Sequence, residues 1–282
     1  MQIGLVTDSA ADLPDDLVER FNIEVVPAIL VIDGQSYLDG IEITRSEFYT
    51  RLPSLGISPT TAAPSGEQFS TRYRKLLASG CEYVVGIFTA EKLTAIADIA
   101  RKAAEDFGDK VIVIESGSLS MGSGYQVLAA AEAVEQRLPL ADVLARVQNL
   151  RKRLKVYAAL DTIEYLRRSG RVPQAVATLG GLLKIKPVVE LLEGVVKPLD
   201  APRTNGQAAD KLIGLLNNLG SIEKLCILHT NAELRAQDFF AQIATSQGKL
   251  LPDDIRIVNV TTVIGTHVGP NGLGLVAVKK KP

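Results

Sequence analysis

At 282 residues, with 46% hydrophobic and 22% charged residues and no low-complexity tract, the chain is long enough for one large domain or two ordinary ones, and its composition excludes a disordered polymer. A formal net charge of −1 leaves no electrostatic footprint for nucleic acid or an anionic membrane, and no apolar run approaches the roughly 20 residues that span a bilayer. Two cysteines, Cys81 and Cys226, each at the start of a strand-like apolar run, argue against a disulfide framework.

The opening I-G-L-V-T-D-S reads as a buried strand, short, mostly apolar and closed by turn formers. No basic leader precedes it, so a cytoplasmic location is expected. Thr7, Asp8 and Ser9 stand at the strand's carboxyl end, the edge where open α/β sheets bind ligands beside helix N-termini. Turn and cap chemistry alone is the plainer reading of Asp8 and Ser9. Asp12 is expected to cap the next helix, with Pro14 in its first turn.

Asp33-Gly34 signals a two-residue hairpin and with it an antiparallel excursion. Thr44 and Glu47 make a capping-box pattern for a helix over 44–52. Pro59 and Pro64 hold an extended segment that presents Thr60 and Thr61 on a stiff loop, and Ser65 caps another helix. Strands over 81–89 and 110–116 then alternate with a helix carrying Leu93, Ile96 and Ala100 on one face, its first turn bracketed by Thr89 and Thr94. This rhythm predicts a parallel sheet.

Helices over 126–135 and 141–155 lead to V-Y-A-A-L-D-T, where a second domain is expected, dividing the chain into 1–156 and 157–282. Its strands mix hairpins with βα units, which predicts a mixed sheet, and Asn205 is expected to cap a helix reaching Asn218. In the small-residue stretch A-V-A-T-L-G-G-L-L, each of Gly180 and Gly181 costs about 1 kcal/mol against Ala in a helix, so another helix or an acyl chain is expected close to that backbone.

The chain closes on V-I-G-T-H-V-G-P-N-G-L-G-L-V-A-V, read as a specified glycine loop that holds His267, one of two histidines, between rigid elements. Gly265 and Gly269 shape that loop. A tight connection with His267 bonded to a nearby carbonyl is the plainer alternative.

Taken together, T-D-S-A-A-D-L-P, D-T-I-E-Y-L-R-R-S-G-R-V, I-K-P-V-V-E, P-R-T and I-G-T-H-V-G-P-N-G-L-G, in this order over nearly the whole chain, resemble the DegV family of bacterial fatty-acid-binding proteins. The resemblance implies two α/β domains, an N-terminal Rossmann-like one with a parallel sheet and a C-terminal one with a mixed sheet. A long-chain fatty acid lies between them in an apolar channel, with no cofactor or metal. It also implies a carrier, not an enzyme, that presents the carboxylate to a separate, dihydroxyacetone-kinase-like fatty acid kinase.

Carried over residue by residue, the family's Thr-Ser-Gln-Pro loop falls on Thr61-Ala62-Ala63-Pro64, so Thr61 keeps the carboxylate-binding hydroxyl while the Ser and Gln are absent. The Ser-Ser-x-Leu-Ser-Gly-Thr segment falls on 90–96, where Ala90 and Ala95 replace polar or glycine positions and Thr94 alone keeps a hydroxyl. Gly-Pro-Gly is Gly269-Pro270-Asn271 here, and Asn tolerates left-handed backbone. The resemblance therefore assigns the carboxylate to Thr61, Thr94 and His267 with Arg171 nearby. Leu179, Gly180 and Gly181 are assigned to the tail, and Arg203 to a partner-facing surface. The rival reading is a hydrolase or transferase acting on an acyl or phosphoryl substrate through Asp8, Ser9 and His267, but no G-x-S-x-G elbow, P-loop or metal-ligand cluster accompanies them.

Overall fold

The computed structural model describes residues 2–170, 185–247 and 251–281. In chain order the first half contains β1 (Ile3–Asp8), α1 (Asp15–Arg20), β2 (Ile23–Val26), β3 (Ile29–Ile32), β4 (Gln35–Leu38), α2 (Arg45–Arg51), β5 (Thr60–Ala62), α3 (Gly66–Ala78), β6 (Tyr83–Phe88), α4 (Ile96–Ala104), β7 (Val111–Glu115), α5 (Met121–Glu135) and α6 (Leu140–Arg153). The second half contains β8 (Leu154–Ala159), α7 (Glu164–Ser169), β9 (Val188–Leu192), β10 (Val195–Asp200), α8 (Asn205–Asn217), β11 (Ile222–His229), α9 (Glu233–Gln247), β12 (Ile255–Asn259), α10 (Thr262–Val268) and β13 (Leu273–Lys279).

These strands form three sheets. β1 pairs in parallel with β2 and β6, and β6 with β7, giving the parallel order β2-β1-β6-β7. Every residue of β1 is buried, as befits a strand covered on both faces. The second sheet is mixed, in the order β10-β9-β8-β13-β11-β12, with β11 and β12 parallel and the other pairs antiparallel. A small antiparallel sheet, β4-β3-β5, carries the excursion. At its hairpin both Asp33 and Gly34 have positive φ, 51° and 80°, the geometry that twists with the strands it joins.

The mixed sheet is apolar on both faces. Val156, Leu228 and Val276 join the core built around Leu5, Val85 and Tyr125, whereas Tyr157, Ile227 and Leu275 join Leu212, Phe239 and Ile243 on the other side. Side chains alternate along a strand, so one sheet seals a helical layer behind it and the parallel-sheet half in front. The excursion has a core of its own, with Leu30, Ile32, Phe48 and Tyr49 buried together.

Several local expectations hold: the Thr44 hydroxyl accepts from the Glu47 N–H at 3.1 Å, and Ser65 forms a capping box with Gln68. Four do not. Asp12 is not a helix cap; it is buried in left-handed backbone (φ 54°) after a 3-10 turn, and Pro14, whose φ is preset, takes the cap position of α1. Thr60 and Thr61 lie in β5, paired with β3, and not on a loop. Leu93 and Thr94 precede α4, which begins only at Ile96. Thr204, extended at φ −123°, caps α8 by accepting from the Gln207 N–H at 3.2 Å, which puts Asn205 inside the helix.

Candidate functional site

The closing glycine stretch is not a loop around His267 but a short helix, α10, with His267 in its last turn. Seven residues containing a glycine make a poor isolated helix, so tertiary contacts hold it. The Thr261 N–H donates to Asp12 Oδ1 at 2.8 Å, while the N–H and hydroxyl of Thr262 donate to Asp39 Oδ1 at 3.3 and 2.6 Å. Two buried carboxylates thus occupy the positive end of α10. Gly265 lets the helix lie against the Tyr49 ring, whose hydroxyl donates to the Val260 carbonyl at 3.1 Å.

Asp12 also accepts from the Ser120 hydroxyl at 2.5 Å and faces Arg45 at 3.5 Å, yet burial outweighs these partners and pushes its carboxyl up to about 6. Between about pH 4 and 6 the folded protein therefore holds a proton that the unfolded chain has released, so this group lowers stability as pH rises through that window and is level above it. Asp12→Asn is expected to remove that fall, about 3 kcal/mol, from urea-unfolding curves taken stepwise across those pH values. A variant whose pH slope matches the parent's would refute the assignment.

From α10 the His267 Nε2 lies 3.0 Å from Thr61 Oγ1 on β5, a contact joining positions 206 residues apart. Both line a cavity of about 300 Å³ together with Ala62, Ala63, Thr94 and Ala95. It opens at the carboxyl ends of β1 and β6, where Ala10 and Thr89 also line it. There the order of the parallel sheet reverses, the place where open α/β sheets receive ligands. Ala95 occupies the cap position of α4 and supplies no side-chain acceptor, so the first-turn N–H groups of α4 stand at the cavity without an intrahelical partner. The polar side chains of the lining are those of Thr61, Thr89, Thr94 and His267, beside the start of α4; the other lining residues are apolar.

A second chamber of about 100 Å³ adjoins the first across a shared wall of Leu119, Leu166, Val196, Ile264 and Val268. It reaches to the mixed sheet at Val156, Ala158 and Leu228.

The structure brings Thr61, Thr94 and His267 together with Ala62, Ala63 and Ala95; Ala90 is buried and lies outside the lining. Asp8 and Ser9 do not join them. They line a separate cavity of about 220 Å³ with Asp39 and Arg45. Asp8 accepts from the Ala10 N–H, the Thr89 N–H and the Thr89 hydroxyl at 2.8–3.0 Å, and burial holds its carboxyl above the ordinary range. Ser9 Oγ accepts from the Ala28 N–H at 3.1 Å. Both residues thus brace, from behind, three residues that line the larger cavity, and the hydrolytic grouping of Asp8, Ser9 and His267 is not assembled. Gly265 and Gly269 shape α10 and its exit instead of a loop. Arg203 is exposed at the start of α8, its N–H donating to Gln207 Oε1 at 3.2 Å. Arg171, Leu179, Gly180 and Gly181 lie outside the described residues.

Sequence reasoning missed the helix N-terminus, the second chamber and the carboxylates that anchor α10. Ala95 before an apolar-periodic run was the one local sign of the first, because a helix start with no capping side chain leaves its amides for something else.

Fold and site define an α/β protein of two principal sheets with two adjoining, largely apolar chambers, the larger of them lined also by Thr61, Thr89, Thr94 and His267. The chain belongs to the DegV family, whose model matches residues 2–280. It is 31% identical over 284 residues to a DegV domain-containing protein of Caldanaerobacter subterraneus subsp. tengcongensis, covering 97% of this chain and 98% of that one. Its fold matches a Thermus thermophilus DegV family protein described by its fatty acid binding, with TM-score 0.91 and 32% identity over 99% of this chain and 100% of the other. It also matches a Thermotoga maritima protein described as revealing a fatty acid binding function, at TM-score 0.87 and 26% identity over 99% of both chains. Among the described residues no helix is long and apolar enough to cross a membrane.

Proposed function

We propose that this protein binds a long-chain fatty acid, without covalent attachment, in the two chambers between residues 1–156 and 157–282. The carboxylate sits at the Thr61, Thr94 and His267 end. The observation that carries the reading is the Thr61–His267 contact in the lining of a largely apolar cavity. A carboxylate there gains charge-assisted hydrogen bonds from hydroxyls, imidazole and the α4 amides that offset its desolvation. The tail supplies most of the affinity: at about 0.8 kcal/mol per buried CH₂, a fourteen-carbon acid contributes around 10 kcal/mol gross, before ordering costs. Family likeness to proteins described as fatty acid binding supports the same ligand.

The test is mass spectrometry of a denaturing extract of the purified protein. A stoichiometric free fatty acid is expected; repeated recovery of lipid-free protein that takes up none on incubation would sink the reading.

In the same reading the protein is a carrier that presents the carboxylate to a separate kinase in the cytoplasm, with Arg203 at the encounter surface. Its exposure at the start of α8, away from the cavity lining, supports that role. Arg203→Ala is expected to leave fatty-acid affinity within about twofold and to slow acyl-phosphate formation by a cognate kinase. Lost lipid binding in a folded variant would remove Arg203 from this role.

A further inference from the structure

The face of the mixed sheet turned toward the first half of the chain is uneven. In one row of cross-strand partners on that face, Leu191, Val156, Val276 and Cys226 lie side by side across β9, β8, β13 and β11. In the neighbouring row, two residues along, the sequence is Val189, Ala158, Gly274 and Leu228. The two central positions, occupied by valines in the first row, hold a methyl group and a hydrogen in the second. All four residues of that second row line the second chamber, and Ala158 is half-buried where Val156 and Leu228 are buried. The hollow is therefore cut into the sheet by two small side chains directly opposite each other, between branched neighbours that form its rims.

We infer that the Ala158–Gly274 notch is the far stop for the acyl tail and sets the chain length this protein accepts, an inference that rests on the fatty-acid reading above. A cavity of about 150 Å³ holds one benzene, six non-hydrogen atoms. On that scale chambers of about 300 and 100 Å³ hold on the order of sixteen, a carboxylate with a chain of about fourteen carbons. The chamber at the notch takes roughly the last four of them. A leucine at 158 adds three carbons to the hollow and displaces about as many from the tail. Each methylene kept out of the site costs about fourfold in affinity.

The test is calorimetric titration of the delipidated full chain, its Ala158→Leu variant and its Ala158→Val variant with straight saturated acids of eight to eighteen carbons. Parent affinity is expected to rise with length and level off near fourteen carbons. Ala158→Leu should level off about three carbons earlier, weakening the fourteen-carbon acid roughly sixtyfold while the ten-carbon acid binds as in the parent. Ala158→Val, which intrudes less and covers the case in which the leucine variant fails to fold, should fall between. Variants that follow the parent at every length would overturn the notch as the stop and leave the fatty-acid reading intact. A parent that binds no acid of any length would overturn both.

Discussion

Thr61→Ala is expected to weaken fatty-acid binding by one to two orders of magnitude without abolishing it. The substitution removes a hydroxyl that lies 3.0 Å from His267 Nε2 in the cavity lining. A hydrogen bond to a charged group is worth about 1.5 to 3 kcal/mol, whereas burial of the tail contributes around 10 gross, so the head is expendable for binding but not for orientation. Ala62, Ala63 and Ala95 offer no side-chain donors in the same lining, which leaves Thr61 with a larger share of the headgroup than it would have among more hydroxyls. Thr61→Ser, which keeps the oxygen, should recover most of the loss. Titration with a single long-chain acid, after circular dichroism and thermal melting match the parent, measures it. An alanine variant that binds as tightly as the parent would move the carboxylate away from β5.

Gly269→Ala should be among the most damaging single substitutions for stability. Gly269 has φ 76° and ψ 177°, a region that residues with a Cβ essentially do not occupy, at a cost of about 1–3 kcal/mol. A Cβ there would also stand 2.5 Å from Tyr165 Cε2 and 2.9 Å from Tyr165 Cγ, so the ring must move as well, and such overpacking costs a further 1–3 kcal/mol or so. Together they predict a loss of about 2–6 kcal/mol, read as a lower urea midpoint with unchanged slope. Tyr165 precedes Leu166 in the wall between the two chambers, so binding should weaken alongside. The double variant Gly269→Ala, Tyr165→Ala separates the causes, since removing the ring relieves the clash and leaves the backbone strain. Parent-like stability in Gly269→Ala would show that this exit from α10 is pliable.

The elements that were legible from residue order are those decided by neighbours a few positions apart. Thr44 and Ser65 cap their helices through residues three positions on, and Asp33-Gly34 turns its hairpin with positive φ at both positions. Buried strands such as β1 and β6 were visible as short apolar runs, and their spacing carried the parallel sheet. Thr61, Thr94 and His267 were legible as candidates through their motifs, although nothing local said that they line one cavity. Thr204, one residue before the expected Asn205, caps α8 because its backbone is extended there while Asn205 is already helical.

What only the tertiary structure decided depends on partners far away in the chain. Ala158 and Gly274 are unremarkable strand residues until cross-strand register sets them opposite one another and opens the second chamber. Asp12 and Ser120 are ordinary turn formers until burial pairs them across 108 residues. The stretch around His267, rich in glycine, reads locally as a loop because its helix cannot recover the cost of nucleation from seven residues. It is helical because Asp12 and Asp39, 249 and 223 residues from the groups they bond, accept its leading N–H groups in a buried setting where leaving them unpaired would cost more than ordering the turn.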